Sequence, residues 1–263
     1  MKNICLQVSY DGTHFAGFQR QPRDRTVQGA IEEALVRITG ETLESLRLAG
    51  AGRTDTGVHA SGQVVNFRTA KTLAPERWLG ALNALLPSDV AVSAVAEVDG
   101  EFHSRFSATA RSYRYVVVNR RTPDPLRRHA AHLETRALPH LDAALEAWRG
   151  LTGTFDFVRF CSTGSNDRST VCTVSEAEAE VVGDEIRFAI TAQSFLYHMV
   201  RRLVGSVLEV AKGRMTPEEF AAMVRSPEGP QGPIALTAPA CGLTLINVTY
   251  PSPIGWQIDS RIL

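Results

Sequence analysis

The chain has 263 residues, of which 44% are hydrophobic and 21% are charged, and its formal net charge is zero. These values are typical of a globular protein with one large domain or two smaller ones, and the balanced charge argues against a protein that binds polyanions in bulk. Its apolar runs fall short of the roughly 20 residues that cross a bilayer, and its first ten residues are too short and too polar for a signal peptide. We therefore expect a cytoplasmic protein without a membrane segment.

The cysteine and arginine contents give two further expectations. The four cysteines form no C-x-x-C pair and have no histidine at metal-ligand spacing, so we interpret them as free thiols and expect no metal site. Of the 28 basic residues three are lysines and 25 are arginines, the side chain that best contacts phosphate and stacks on bases. Codon or thermal bias explains the same excess equally well, because composition cannot place the arginines on one face.

The first half of the chain alternates between strand and helix patterns. Alternating apolar residues predict a strand over Asn3–Tyr10, followed by a glycine-containing loop with two exposed aromatic residues. Thr26 as N-cap and Gly40 as C-cap predict a helix over Val27–Thr39. The remaining predicted elements of this half are strands at Leu46–Leu48, Val64–Arg68 and Val90–Glu97 and a helix at Pro75–Leu86.

The second half repeats roughly the same order of elements. The predicted elements are a strand at Phe106–Asn119, a helix at Pro139–Arg149, an irregular segment at Thr152–Asp167, a hairpin of Thr170–Val182 with Glu185–Ala192, helices at Tyr197–Lys212 and from Pro217, a Pro/Gly loop at Ser226–Pro239 and a strand at Leu243–Tyr250. This order predicts an α+β fold of two similar ferredoxin-like or RRM-like halves, each a mainly antiparallel sheet with helices on its faces. We expect domains at 1–108 and 109–263.

The stretch Leu48–Ala60 is rich in glycine and contains one acid, Asp55. Small residues in a loop between two strands let the backbone come close to a ligand. Asp55 either caps the N–H groups of a turn, as aspartate often does, or acts as a nucleophile or base. In the second case Arg53 could orient a phosphate or keep the carboxylate ionised.

The triplet Asp55-Thr56-Gly57 also occurs in aspartic proteases. Those enzymes need two carboxylates that share a proton, and the sequence contains no second D-T-G or D-S-G. The residues before the triplet are not an apolar strand either. The glycines form neither a G-x-G-x-x-G fingerprint nor a P-loop, so the sequence gives no support for a nucleotide cofactor.

Two stretches of the second half hold further candidate residues. Tyr113, in the sequence R-S-Y-R-Y, is either a core position of an amphipathic strand or a ring on which a base stacks. Arg201 lies at the edge of the apolar stripe of its helix, where it either snorkels to solvent or pairs with a carboxylate such as Asp55. The next residue, Arg202, is expected to point further toward solvent.

Taken together, five motifs resemble the TruA-type tRNA pseudouridine synthases and cover nearly the whole chain. They are Tyr10-Asp-Gly-Thr-x-Phe-x-Gly-Phe-Gln-x-Gln21 with Thr26-Val-Gln28, then Gly52-Arg-Thr-Asp-Thr-Gly-Val-His-Ala60, Arg111-x-Tyr-x-Tyr115, Phe195-Leu-x-His-Met-Val-Arg201 and Ala240-Cys-Gly-Leu243. The resemblance implies isomerisation of uridine to pseudouridine at positions 38, 39 and 40 of the tRNA anticodon stem-loop. It also implies a homodimer, a cleft between the two halves, and no cofactor or metal.

The resemblance assigns a role to each candidate residue. Asp55 is the catalytic residue, Arg53 takes part in RNA binding and base flipping, Tyr113 stacks on the target base, Arg201 pairs with the catalytic acid and Leu243 packs against the base. At one position the sequence departs from the family, since Cys172 stands where arginine is usual. An RNA-binding protein of the same fold without catalysis is the main alternative, and the presence of Asp55 argues against it.

Overall fold

The computed structural model describes residues 1–162, 169–225 and 236–258. The chain forms two compact units, one of Met1–Thr109 with Leu245–Leu263 and one of Ala110–Thr244. Parts of the predicted irregular segment and of the predicted Pro/Gly loop, residues 163–168 and 226–235, lie outside the described residues.

The first unit is built around a central antiparallel strand. In chain order its elements are β1 (Lys2–Tyr10), α1 (Val27–Thr39), α2 (Leu43–Leu46), β2 (Ala49–Gly50), β3 (His59–Thr69), α3 (Pro75–Leu85) and β4 (Val90–Val98). Strand β1 pairs antiparallel with β3 on one side and β4 on the other, and β2 pairs antiparallel with β3. The central position of β1 buries Cys5, Leu6 and Val8 completely.

In its described residues, the second unit has a sheet of antiparallel strands and three α-helices. In chain order its elements are β5 (Ala110–Asn119), β6 (His132–Glu134), α4 (Leu141–Arg149), β7 (Gly153–Asp156), β8 (Val171–Val182), β9 (Glu185–Ala192), α5 (Met199–Ala211) and α6 (Pro217–Arg225). Strands β5, β9, β8 and β7 pair antiparallel in that order, and β6 lies parallel to β5. Helix α4 packs on β8, where Trp148 is fully buried and its indole N–H donates to the Ala189 carbonyl over 3.0 Å.

The last two strands are β10 (Leu243–Thr249) and β11 (Gln257–Ile258). From Leu245 onward these residues belong to the first unit, whereas the sequence analysis grouped them with residues 109–263. Hydrogen bonds of a sheet join residues far apart in sequence, which explains the difference: β11 pairs with β4, and β10 is a neighbour of β3. Both units are α+β with mainly antiparallel sheets, as predicted.

Local sequence signals predicted the bounds of some elements correctly, in one case to the exact residue. The helix over Val27–Thr39 is confirmed, since Thr26 accepts a hydrogen bond from the Gly29 N–H and Gly40 has a φ of 75°. The predicted hairpin is confirmed as β8 and β9. The strand predicted at Leu46–Leu48 is wrong, because Thr42 caps the short helix α2 and the chain then turns at Arg47 with a φ of 48°. Three residues are too few for a period to distinguish a strand from a helix end.

Glycine at position 205 permits a close contact within the second unit. A methyl group at Gly205 of α5 would overlap the backbone carbonyl of Leu236. The segment that follows is then fixed on the helix, since the Ala238 N–H donates to the Arg201 carbonyl over 3.0 Å. The close approach therefore sets the position of the segment leading into β10.

Replacing this glycine tests the contact against a matched control. Gly205→Ala is expected to lower the free energy of unfolding by about 1–3 kcal/mol, because either the helix or the 236–238 segment must move. Gly80→Ala in α3 adds the same methyl group where nothing lies within 4 Å, so it should stabilise the protein by up to about 1 kcal/mol. Urea unfolding of both variants measures the difference, and equal effects would contradict the proposed contact.

Candidate active site

Asp55 lies in the loop of residues 51–58, which connects β2 to β3. The two strands pair at the base of the loop, and the Ala51 N–H donates to the Val64 carbonyl over 2.8 Å. Further along, the Val58 N–H donates to the Asp55 carbonyl over 3.1 Å, closing a turn in which Gly57 has a φ of 78°. The backbone on both sides of Asp55 is thereby fixed.

A buried polar cluster supports the loop from beneath. The hydroxyls of Tyr10 and Thr54 lie 2.8 Å apart, and the Gln63 side-chain amide donates to the Gly52 carbonyl over 2.9 Å and to the Tyr10 hydroxyl over 3.4 Å. Gln63 is fully buried, and burial raises the pKa of Tyr10 to about 12 although its hydrogen bonds to Thr54 and Gln63 oppose the rise. Tyr10 thus stays a neutral hydroxyl at physiological pH.

The loop after β1 packs directly against the Asp55 loop. The Phe18 N–H donates to the Thr54 carbonyl over 3.0 Å, and Gly17, with a φ of 99°, has no side chain to collide with that carbonyl. The two aromatic residues here were predicted to be exposed, and this is wrong: Phe15 is 2% exposed and Phe18 is 3% exposed. They are buried because the glycines bring the two loops into contact.

The side chains of the Asp55 loop alternate in exposure. Arg53 is exposed, Thr54 is buried and Asp55 is half-buried. This alternation follows from the anchoring of Thr54 to Tyr10, which turns its neighbours outward. Asp55 and Arg53 therefore present a carboxylate and a cation at the surface of the first unit.

Tyr113 is buried on β5 in the second unit. It is 8% exposed, and its ring meets the Phe195 ring edge-to-face with centroids 5.0 Å apart. Tyr115, two residues along on the same face, donates its hydroxyl to the Pro239 carbonyl over 2.8 Å. Burial raises the pKa of Tyr115 well above its usual range, so this hydroxyl remains a donor.

Arg201 of α5 and Leu243 at the start of β10 are connected through the segment of residues 238–243. The Arg201 guanidinium donates through Nε to the Ala238 carbonyl over 2.8 Å. Leu243 is 5% exposed, and the adjacent Gly242 has no side chain where the Tyr115 ring packs. The 238–243 segment thus connects α5, which carries Arg201, to β5, which carries Tyr113, and continues into Leu243.

Arg202 and Cys172 lie against other elements of the second unit. Arg202 was expected to point to solvent, and this is wrong: it is half-buried and donates to the Cys161 carbonyl, because the turn of residues 158–160 just before Cys161 packs against α5. Cys172 is 3% exposed on β8 and accepts a weak hydrogen bond from the Ser194 hydroxyl over 3.8 Å. At this position it behaves as a small buried side chain.

Sequence reasoning missed the cluster under the Asp55 loop. Tyr10 was noted as part of a motif, while Thr54 and Gln63 were assigned no role. A glutamine between apolar residues on a strand was the available signal, since a buried amide needs hydrogen-bond partners. Its partners lie 53 and 11 residues away, however, and no local pattern identifies them.

Two searches of the described residues gave negative results. In the part of the chain that the structure describes, no helix is long and apolar enough to cross a membrane. Within the same residues, no three His, Cys, Asp or Glu side chains are grouped so that they could hold a metal ion.

Comparison with known proteins gives strong similarity over most of the chain. Residues 6–107 and 147–251 match the family described as tRNA pseudouridine synthase. The chain is 44% identical to tRNA pseudouridine synthase A of Geobacillus kaustophilus over 247 residues, which is 94% of this chain and 93% of that protein. It is 41% identical to that of Exiguobacterium sp. over 95% of this chain and 98% of the relative, and 40% identical to that of Bacillus subtilis over 92% and 97%. A chain of the solved Cbf5-Nop10-Gar1 complex matches with a TM-score of 0.37 and 10% identity, over 78% of this chain and 44% of that one.

Removing the Tyr10 hydroxyl should loosen the Asp55 loop. Tyr10→Phe keeps the ring but leaves the buried Thr54 hydroxyl and the Gln63 amide short of a partner. We expect the free energy of unfolding to fall by about 1–2 kcal/mol and the amides of residues 51–58 to exchange hydrogen faster. Tyr197→Phe, at a tyrosine that is 45% exposed, is the control and should change neither quantity. Unchanged exchange in Tyr10→Phe would show that the cluster does not hold the loop.

Proposed function

The chain belongs to the tRNA pseudouridine synthase family and is an isomerase that acts on tRNA, and from this premise we propose that Asp55 is its catalytic residue. The observation that carries the proposal is the setting of this carboxylate: a half-buried side chain on a backbone fixed by the buried contacts of Thr54. A reacting group must be held in one geometry without being sealed from its substrate. The Asp55 loop satisfies both requirements.

The reaction breaks the bond between N1 of uracil and C1′ of the ribose, turns the base and joins C5 to C1′. C5 then loses its proton and N1 gains one, so the product is an isomer of the substrate. Nothing is oxidised or hydrolysed, so one positioned carboxylate is sufficient. Asp55 either attacks C1′ or removes the proton on C2′, and both routes require its ionised form. A uridine in a stem-loop must first leave its stack to reach the carboxylate.

We propose the anticodon stem-loop as the target, with uridines 38, 39 and 40 as the modified positions. Arg53, exposed two residues before Asp55, is suited to contact the phosphate of the nucleotide that flips out. We also propose that the protein acts as a homodimer in the cytoplasm. The ferredoxin-like character of the two halves and the cleft between them stay predictions.

Three residues of the second unit complete the proposed set. The aromatic ring of Tyr113 holds the freed uracil by stacking while it turns, and Leu243 supplies an apolar contact for the base. Arg201 pairs with Asp55 and favours its ionised form, because a neighbouring opposite charge stabilises a carboxylate. The hydrogen bond of Arg201 to Ala238 supports this role by limiting the motion of its side chain.

Asp55→Asn is the direct test of catalysis. The variant keeps the shape of the side chain and removes its charge, so we expect isomerisation of a tRNA transcript to fall by about 10³-fold or more. Asp24→Asn, at an exposed aspartate of the same unit, is the matched control and should retain wild-type turnover. Pseudouridine is mapped by chemical modification and primer extension. Full turnover by Asp55→Asn would rule out the catalytic role, and product at positions other than 38, 39 and 40 would rule out the proposed target.

Two variants of Tyr113 distinguish stacking by its ring from a reaction at its hydroxyl. Tyr113→Phe keeps the ring and should retain most of the activity, whereas Tyr113→Leu removes the stacking face, which is worth about 1–3 kcal/mol per base. The measurement is single-turnover isomerisation at saturating enzyme, with thermal unfolding to confirm that both variants fold. Equal losses in the two variants would indicate that the hydroxyl, rather than the ring, is required.

A further inference from the structure

A large aromatic side chain protrudes from the segment between β4 and β5. Phe106 is 77% exposed, although phenylalanine is among the residues most often buried. The centroid of its ring lies 4.4 Å from that of His103, with the ring planes 39° apart. The guanidinium carbon of Arg105 lies 5.8 Å from the same centroid. The segment thus presents a pair of aromatic rings with a cation beside them.

The backbone that carries Phe106 is firmly anchored. Ser104 is fully buried, and its N–H donates to the Asn66 side-chain carbonyl over 2.8 Å. Its hydroxyl donates to the Ala49 carbonyl over 2.8 Å, and its own carbonyl accepts from the Tyr250 hydroxyl over 2.8 Å. These bonds to β2, β3 and the segment after β10 hold the residues after Ser104 in one position. The fixed backbone therefore holds the Phe106 side chain in an exposed position.

His103 is fixed behind Phe106 by its own hydrogen bonds. Its backbone N–H donates to the Ser107 hydroxyl over 3.1 Å, and its Nδ1 accepts from the Arg105 N–H over 3.1 Å. Partial burial, with the charges of Arg105 and Arg68, lowers the pKa of His103. The ring is thus neutral at pH 7, with its proton on Nε2. A neutral imidazole extends the aromatic surface without adding charge.

The chemistry of this surface matches one unpaired nucleotide of RNA. A base stacks on an exposed aromatic ring regardless of its identity, and an adjacent guanidinium contacts the phosphate or stacks on the base. Arg68 lies on β3, and its guanidinium donates to the Gly100 carbonyl over 2.5 Å, which attaches a second cation to this segment. The segment also has two exposed acids, Asp99 and Glu101, so the cation placed at the ring itself is Arg105.

We propose that Phe106, backed by His103 and flanked by Arg105, is a stacking platform for an unpaired nucleotide of the tRNA substrate. This inference rests on the proposed function and adds a binding residue that does not react. Through the bond from Ser104 to Ala49, the platform is attached to the strand that leads into the Asp55 loop. RNA held on Phe106 is therefore held at a fixed place relative to Asp55.

The test measures tRNA binding apart from turnover. Kd for a tRNA transcript is determined by filter binding on the full chain carrying Asp55→Asn, and kcat and KM are determined on the chain with Asp55 intact. Phe106→Ala should raise Kd by about 5- to 100-fold and raise KM, with kcat unchanged at saturating tRNA. Phe106→Trp should keep the original Kd, while Phe106→Leu should weaken binding as alanine does, because it lacks a π face. Leu126→Ala, at a leucine that is 95% exposed in the second unit, is the control for loss of an exposed apolar side chain.

Three results would overturn the platform. The first is an unchanged Kd in Phe106→Ala, and the second is an undiminished affinity in Phe106→Leu. The third is a lower sedimentation mass in Phe106→Ala without a change in Kd, which would assign the surface to a second copy of the chain. The proposed function fails separately: if Asp55→Asn retains turnover while the Phe106 series changes Kd as expected, Asp55 is not catalytic and the platform stands.

Discussion

The hydrogen bond between the buried hydroxyls of Tyr10 and Thr54 is the contact on which the Asp55 loop depends. A buried hydroxyl or amide without a partner is costly, so each member of the cluster with Gln63 restricts the others. Thr54 cannot move without breaking its hydrogen bond to Tyr10, and Gly52 cannot move without releasing the Gln63 amide. Asp55 follows Thr54 in the chain, so its backbone is restricted as well. A polar cluster beneath the loop thus fixes the position of the Asp55 carboxylate, the proposed catalytic group, without burying it.

In the second unit a single segment, residues 238–243, is fixed between α5 and β5. Arg201 of α5 contacts Ala238, and the Tyr115 hydroxyl of β5 donates to the Pro239 carbonyl. Two glycines make the close approach possible, Gly205 on the helix side and Gly242 on the strand side. This one segment therefore links the elements that carry Arg201, Tyr113 and Leu243, which lie in separate motifs. The motifs are therefore parts of one packed substructure of this unit.

Sequence signals predicted the elements whose determinants are local. The first helix carries its cap residues at both ends, and the β8–β9 hairpin carries its turn at Gly183, so both were predicted correctly. The strand at Leu46–Leu48 failed because a threonine cap outweighed three alternating residues. Phe15 and Phe18 were assigned to the surface because the Asp55 loop that packs against their segment lies 33 residues or more further along. The candidate residues themselves were found through motifs, while the contacts that hold them are long-range and visible only in the fold.

A chain with no net charge must bind a polyanion by local means. Counterion release by a broad basic surface is the usual source of RNA affinity, and it weakens steeply with salt. Stacking on an aromatic ring contributes about 1–3 kcal/mol per base and can add affinity where few phosphates are neutralised. A rigid ring such as Phe106 also loses little conformational freedom on binding, because its segment is already ordered by Ser104. Binding energy gained away from the reacting atoms can then position the uridine and offset the cost of unstacking it. In the proposed mode of binding, a few fixed contacts such as Phe106 therefore supply the affinity that a large positive field supplies in more basic RNA-binding proteins.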